Sequence, residues 1–179
     1  MRVILALWIL LSLAPVSRAG DAVTGVQRFH AYNAMLASSG QPKRNQFASI
    51  AAAGYKVIVN VAASDSNPDA IRDEKQLVEQ AGMEYYAIPI SWQKPDINQV
   101  MASVKLLETL QEKPTLVHCY VNSRASLVAY LLRSKRDGAS NADEIETMTK
   151  IWKQNRGYEY ENSPEWQFVL EDAKKLSVK

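Results

Sequence analysis

Cysteine and histidine are the scarce residues of this chain. Its 179 residues include one cysteine, Cys119, and two histidines, His30 and His118. A single cysteine excludes an internal disulfide framework and any multi-cysteine zinc site. It also leaves few nucleophiles and bases from which a reaction could be built. An excess of one charge is missing too, because 21 Lys and Arg face 19 Asp and Glu. That balance argues against nucleic acid as a partner, which calls for a strong basic field. Internal repeats, low-complexity tracts and linkers are absent. What is present is an apolar fraction of 47%, enough for the core of one domain and too much for a disordered chain.

The longest apolar run lies at the start. Val3 to Ala14 is interrupted only by Ser12 and follows Arg2. At about a dozen residues it is short of the roughly 20 needed to cross a bilayer, and it fits a secretory leader. Ser17 and Ala19 supply small residues at the −3 and −1 positions, which predicts cleavage after Ala19. Residues 1–19 are then a signal peptide and residues 20–179 a single domain that is periplasmic or secreted and has no membrane segment. The leader removes Arg2 and Arg18 and no acid, so the mature chain is neutral. In an oxidising compartment an unpaired Cys119 must be buried or kept for chemistry.

Short β-branched or apolar runs alternate with amphipathic ones. Strands are expected at Met35 to Ser38, Lys56 to Ala62, Glu84 to Ile90 and Thr115 to Cys119. Helices are expected at Arg44 to Ala53, Asp69 to Ala81, from Asp96 to Leu110, at Arg124 to Lys135, Asn141 to Gln154 and Pro164 to Leu176. Gly54 and Gly82 mark helix ends. Asp96 is suited to capping the helix in which Ile97, Val100, Met101, Val104, Leu107 and Leu110 recur at helical spacing. This alternation predicts an α/β fold with a mostly parallel central sheet and a helical C-terminal third. Ligands of such sheets sit beyond the carboxyl ends of the strands.

One of those ends reads His118-Cys119-Tyr120-Val121-Asn122-Ser123-Arg124-Ala125-Ser126. A strand runs into a tight turn and a helix begins. Backbone N–H groups of Tyr120, Val121, Asn122 and Ser123 can converge on one point, and the helix dipole favours negative charge there. The thiolate is the reactive form of cysteine. Arg124 offers a bidentate fork for a phosphoryl group, and Ser126 a supporting hydroxyl. These parts suit displacement at phosphorus through a phosphocysteine intermediate, with no metal and no cofactor.

The loop resembles the H-C-x5-R-[ST] signature of the cysteine-dependent protein tyrosine and dual-specificity phosphatases. It is most similar to a bacterial phosphatase-like domain that also occurs beside β-lactamase-like hydrolases. Ser39-Gly40-Gln41-Pro42, Val57 to Val61 and Ile88-Pro89 match that layout, and the resemblance covers roughly residues 26–135. It implies a tyrosine phosphatase-like fold, with Cys119 as nucleophile and Arg124 as phosphate clamp. Two departures stand out. Four residues, not five, separate Cys119 from Arg124, which shortens the cradle by about 3.5 Å of chain. The usual glycine is replaced, with Asn122 nearest, a residue that tolerates a left-handed backbone.

The resemblance also implies an aspartate as general acid in the loop after the preceding strand, where this chain has Trp92. Asp96 is the nearest acid, and an N-cap is the competing role for it. Asp65 is the second candidate, with a turn residue as its alternative. Three readings follow. One is an exported phosphate-monoester hydrolase acting on a phosphate-bearing small molecule or a phosphoprotein, as a monomer. The second is an inactive relative that binds a phosphorylated ligand or a protein partner. The third is sulfur transfer of the rhodanese kind.

Overall fold

The structure is a computed structural model that describes residues 23, 25–62, 70–137, 142–155 and 159–177. Five strands form one sheet in the order β1-β2-β5-β3-β4. They are β1 (His30–Ala31), β2 (Leu36–Ser39), β3 (Val57–Ala62), β4 (Glu84–Ile90) and β5 (Thr115–His118). All neighbours are parallel except β1, which pairs antiparallel with β2. Parallel strands buried on both faces read as continuous apolar runs, and β3 does so as Val-Ile-Val-Asn-Val-Ala. Strand β4 is an edge and bulges where its register passes from Asn60↔Ala87 to Ala62↔Ile90. Pro89 sits in that bulge, where a missing N–H is tolerated.

Alternating side chains divide the core in two. Ala37, Ile58 and Leu116 pack under helices α1 (Phe47–Ala52) and α2 (Glu74–Gln80), using Phe47, Ile50 and Val78. Leu36, Val57, Val59 and Val117 face the other layer, formed by α3 (Ile97–Thr109), α4 (Ser123–Asp137), α5 (Ala142–Lys153) and α6 (Pro164–Ser177). Val100, Val104 and Leu107 are the buried stripe of α3, each stabilising the fold by about 1.5–3 kcal/mol. Helix α4 is buried on every side from Ser123 to Leu132, as expected of a central helix rather than a surface one. The predicted α/β class and helical C-terminal third are therefore observed.

Several boundaries differ from expectation. The helix expected from Asp69 begins only at Glu74, because Asp73 turns outward to pair with Arg44 and residues 71–74 form a turn closed by Glu74 N–H on Ile71 O. Arg44–Gln46 is a 3₁₀ turn leading into α1 rather than part of the α-helix. The two-residue strand β1 was not expected. Gly54 and Gly82, at φ 98° and 80°, do end α1 and α2. The expected leader at 1–19, Asp65, Asp69 and Asn141 lie outside the described residues. Among the described residues no helix is long and apolar enough to cross a membrane.

Candidate functional site

Strand β5 lies between β2 and β3, so the loop leaving its carboxyl end emerges at the centre of the sheet edge. That loop, Cys119 to Asn122, is tied to the turn after β2. Cys119 N–H donates to Ser39 O at 3.2 Å, and Gln41 N–H donates to Tyr120 O at 3.0 Å. Val121 forms an isolated antiparallel bridge with Gly40. Gly40 is needed for this approach, since a Cβ there would meet Tyr120 O at 3.0 Å and the Gln27 amide oxygen at 3.1 Å. The sequence Ser39-Gly40-Gln41-Pro42 is thus the clasp of the cysteine loop.

The chain turns at Asn122, whose φ is 69°. Its side-chain Nδ2 donates to Arg28 O at 2.7 Å, which holds the left-handed turn in place. Helix α4 follows at once, with Ser126 N–H on Asn122 O at 3.1 Å. The Ser126 hydroxyl donates to Ser123 O at 3.0 Å and so closes the first turn of α4. Both Asn122 and Ser126 are fully buried behind the loop.

A small pocket opens over this loop. Cys119, Tyr120, Val121, Ser123 and Arg124 line one side, and Trp92 and Gln93, from the segment after β4, line the other. Cys119 is 1% exposed and in no disulfide. Arg124 is 4% exposed, and its Nη1 donates to Ile90 O at 2.7 Å. One of the five guanidinium N–H groups thus anchors the side chain to the end of β4 and fixes the fork beside the pocket.

Of the predicted acids, Asp96 is the N-cap of α3: it is exposed, and its Oδ1 accepts from Asn98 N–H at 2.8 Å. It is absent from the pocket lining, and no carboxylate lines the pocket among the described residues. Asp65 lies outside the described residues.

Sequence reasoning missed three supports. Asn155, 2% exposed at the end of α5, donates through Nδ2 to Val121 O at 3.0 Å. Trp166 of α6 donates its indole N–H to Trp92 O at 3.1 Å and stacks on that ring at 5.3 Å. Glu74, which falls within the helix expected from Asp69 to Ala81, is buried under the loop, with its Oε1 3.2 Å from Nε2 of His118. Only the aromatic spacing of Trp92, Trp152 and Trp166 could have hinted at the second.

No protein-family model matches the chain. Among curated proteins it is similar to the beta-lactamase hydrolase-like protein of Xylella fastidiosa (strain Temecula1), 30% identical over 118 residues, which are 65% of this chain and 27% of that protein. The Agrobacterium fabrum (strain C58) protein of the same name is 32% identical over 123 residues, 66% of this chain and 27% of that one. The chain spans about a quarter of the length of these relatives. Among solved structures, TpbA of P. aeruginosa shares the fold, with a TM-score of 0.64 at 17% identity over 85% of this chain and 89% of that one. A phosphatase-like DUF442 protein of Shewanella putrefaciens CN-32 superposes with a TM-score of 0.74 and 36% identity, over 83% of this chain and 90% of its own. With that identity across nearly the whole of the Shewanella protein, the chain belongs to the DUF442 family of phosphatase-like proteins.

Proposed function

We propose that the protein is an exported phosphate-monoester hydrolase that works through Cys119. The observation that carries this reading is the meeting of Cys119 and the Arg124 guanidinium in one pocket, over a loop clasped by the turn after β2. The Cys119 thiolate attacks phosphorus; the P–S bond forms as the ester P–O bond breaks, and the leaving oxygen takes up a proton. Water then attacks the phosphocysteine, releasing inorganic phosphate and restoring the thiolate. Arg124 and the N–H groups of Tyr120, Val121, Asn122 and Ser123 hold the charge on the transferring group. Asp96, from its exposed cap, and Asp65 are the acids to test for the leaving-group proton. The substrate is a phosphate-bearing small molecule or phosphoprotein. A variant of TpbA, which shares this fold, has been crystallised in complex with phosphotyrosine.

The leader pattern of Arg2, the run from Val3 to Ala14, Ser17 and Ala19 supports the export, and we read the exported unit, residues 20–179, as a monomeric single domain. N-terminal mass analysis of protein recovered from the cell envelope checks the cut after Ala19.

The test is hydrolysis of p-nitrophenyl phosphate by the mature protein between pH 4 and 8 under reducing conditions. Turnover is expected, and Cys119→Ser should lower it by on the order of a thousandfold or more. A second reading, an anion-binding module without turnover, is favoured by the lack of any carboxylate in the described pocket lining. It predicts vanadate binding with no hydrolysis above that of Cys119→Ser. Neither hydrolysis nor vanadate binding overturns both readings.

A further inference from the structure

Glu74 is the most deeply buried acid among the described residues, at 2% exposure. A carboxylate taken out of water needs several donors or a counter-charge to remain there. Four groups meet it. Gln41 Nε2 donates to Oε1 at 2.7 Å, and His118 Nε2 lies 3.2 Å from the same oxygen. Asn60 Nδ2 donates to Oε2 at 2.5 Å, and the Tyr85 hydroxyl donates to it at 3.1 Å.

Three of the partners bear on the cysteine loop. His118 immediately precedes Cys119. Asn60 is the register partner of His118 on β3. Gln41 donates its backbone N–H to Tyr120 O, one residue after the cysteine. Tyr85 comes from β4, and Glu74 itself from α2, so one carboxylate joins the base of the loop to four elements around it.

We propose that Glu74 is a positioning residue for the Cys119 loop, holding His118 and Gln41 so that the residues flanking Cys119 keep their place around a bound phosphoryl group. This rests on the reading of the loop as a phosphoryl site. The side chain reaches neither Cys119 nor the pocket, so its action passes through His118 and through Gln41. The titratable groups facing it are His118 from β5 and Tyr85 from β4. Burial and the Glu74 carboxylate push the Tyr85 phenol up, so it remains a donor. Asp73, next in sequence, is exposed and held by Arg44.

The experiment needs no turnover. Alkylation of Cys119 by iodoacetamide is followed from pH 5 to 9, with and without orthovanadate, in the parent and in Glu74→Gln, Glu74→Asp and Gln41→Ala. The parent should be protected by vanadate. Glu74→Gln should weaken protection by about tenfold or more and move the pH midpoint of alkylation. Glu74→Asp should recover part of the loss. Gln41→Ala should lose about three- to tenfold through its own arm of the network, and it carries the test if Glu74→Gln does not fold. Parent-like protection and pH profile in both Glu74→Gln and Gln41→Ala overturn the proposal while leaving the phosphoryl site standing. A parent that vanadate does not protect overturns the site and the proposal together.

Discussion

Asn122 holds a backbone angle that a Cβ makes costly, and its side chain offsets part of that cost by bonding to Arg28 O. A left-handed residue costs roughly 1–2 kcal/mol without such help, and the hydrogen bond contributes about 1 kcal/mol. Asn122→Ala keeps the strain and loses the hydrogen bond, so it should destabilise the protein by about 1 kcal/mol or more, while Asn122→Gly loses the same bond but escapes the strain and should be about 1–2 kcal/mol more stable than Asn122→Ala. Urea denaturation of the pair measures the difference, and equal losses would show that the left-handed angle carries no cost. Asn155 acts at the same scale from a distant part of the chain. Removing its amide in Asn155→Ala leaves the buried Val121 carbonyl without that donor, at a cost of about 1–3 kcal/mol. Vanadate protection of Cys119 should weaken with it, and unchanged protection would confine Asn155 to a stability role.

At the scale of elements, α6 reaches the pocket only through Trp92. Trp166 stacks on that ring and bonds its carbonyl, and Trp152 packs 5.6 Å away. Trp166→Phe keeps an aromatic face and removes the indole N–H, so about 1 kcal/mol of stability should be lost. The wall that Trp92 forms should loosen, which raises KM for an aryl phosphate more than it lowers kcat. Steady-state kinetics separate the two, and a fall in kcat alone would place Trp92 outside substrate contact.

Elements with strong local patterns were legible in the sequence. The β-branched run of β3, the 3-4 stripe of α3 and the His-Cys loop between β5 and α4 all lie where they were read. Elements decided by distant partners were not. The start of α2 depends on Arg44, twenty-nine positions before Asp73. Strand β1 exists only as a partner of β2. Glu74 sits in an amphipathic helical pattern and Asn155 just past the end of one, where a polar residue reads as solvent-facing, and only the folded chain brings them to His118 and Val121.

Over the whole molecule, the sheet separates Cys119, which joins the core beneath α3 to α6, from His118 and Asn60, which turn toward α2 and meet Glu74. The acid response of the fold should report that buried contact. Burial pushes the Glu74 carboxyl up, but His118 and the donors Gln41 and Asn60 outweigh it and hold the group below its ordinary 4.5. The unfolded chain therefore binds this proton more readily than the folded one. The stabilisation is complete above the unfolded value near 4.5 and is lost as pH falls through the lower folded value. Asp73, Glu84, Glu146 and Glu161 are also held low by their own partners, but they are exposed and common to parent and variant. Their effects cancel when the parent is compared with Glu74→Gln. Urea midpoints of the two proteins from pH 7 to pH 3 should differ most near neutrality and draw together below about pH 4.5. A gap that stays constant through that range would mean that the shape of Glu74, and not its charge, holds the base of the loop.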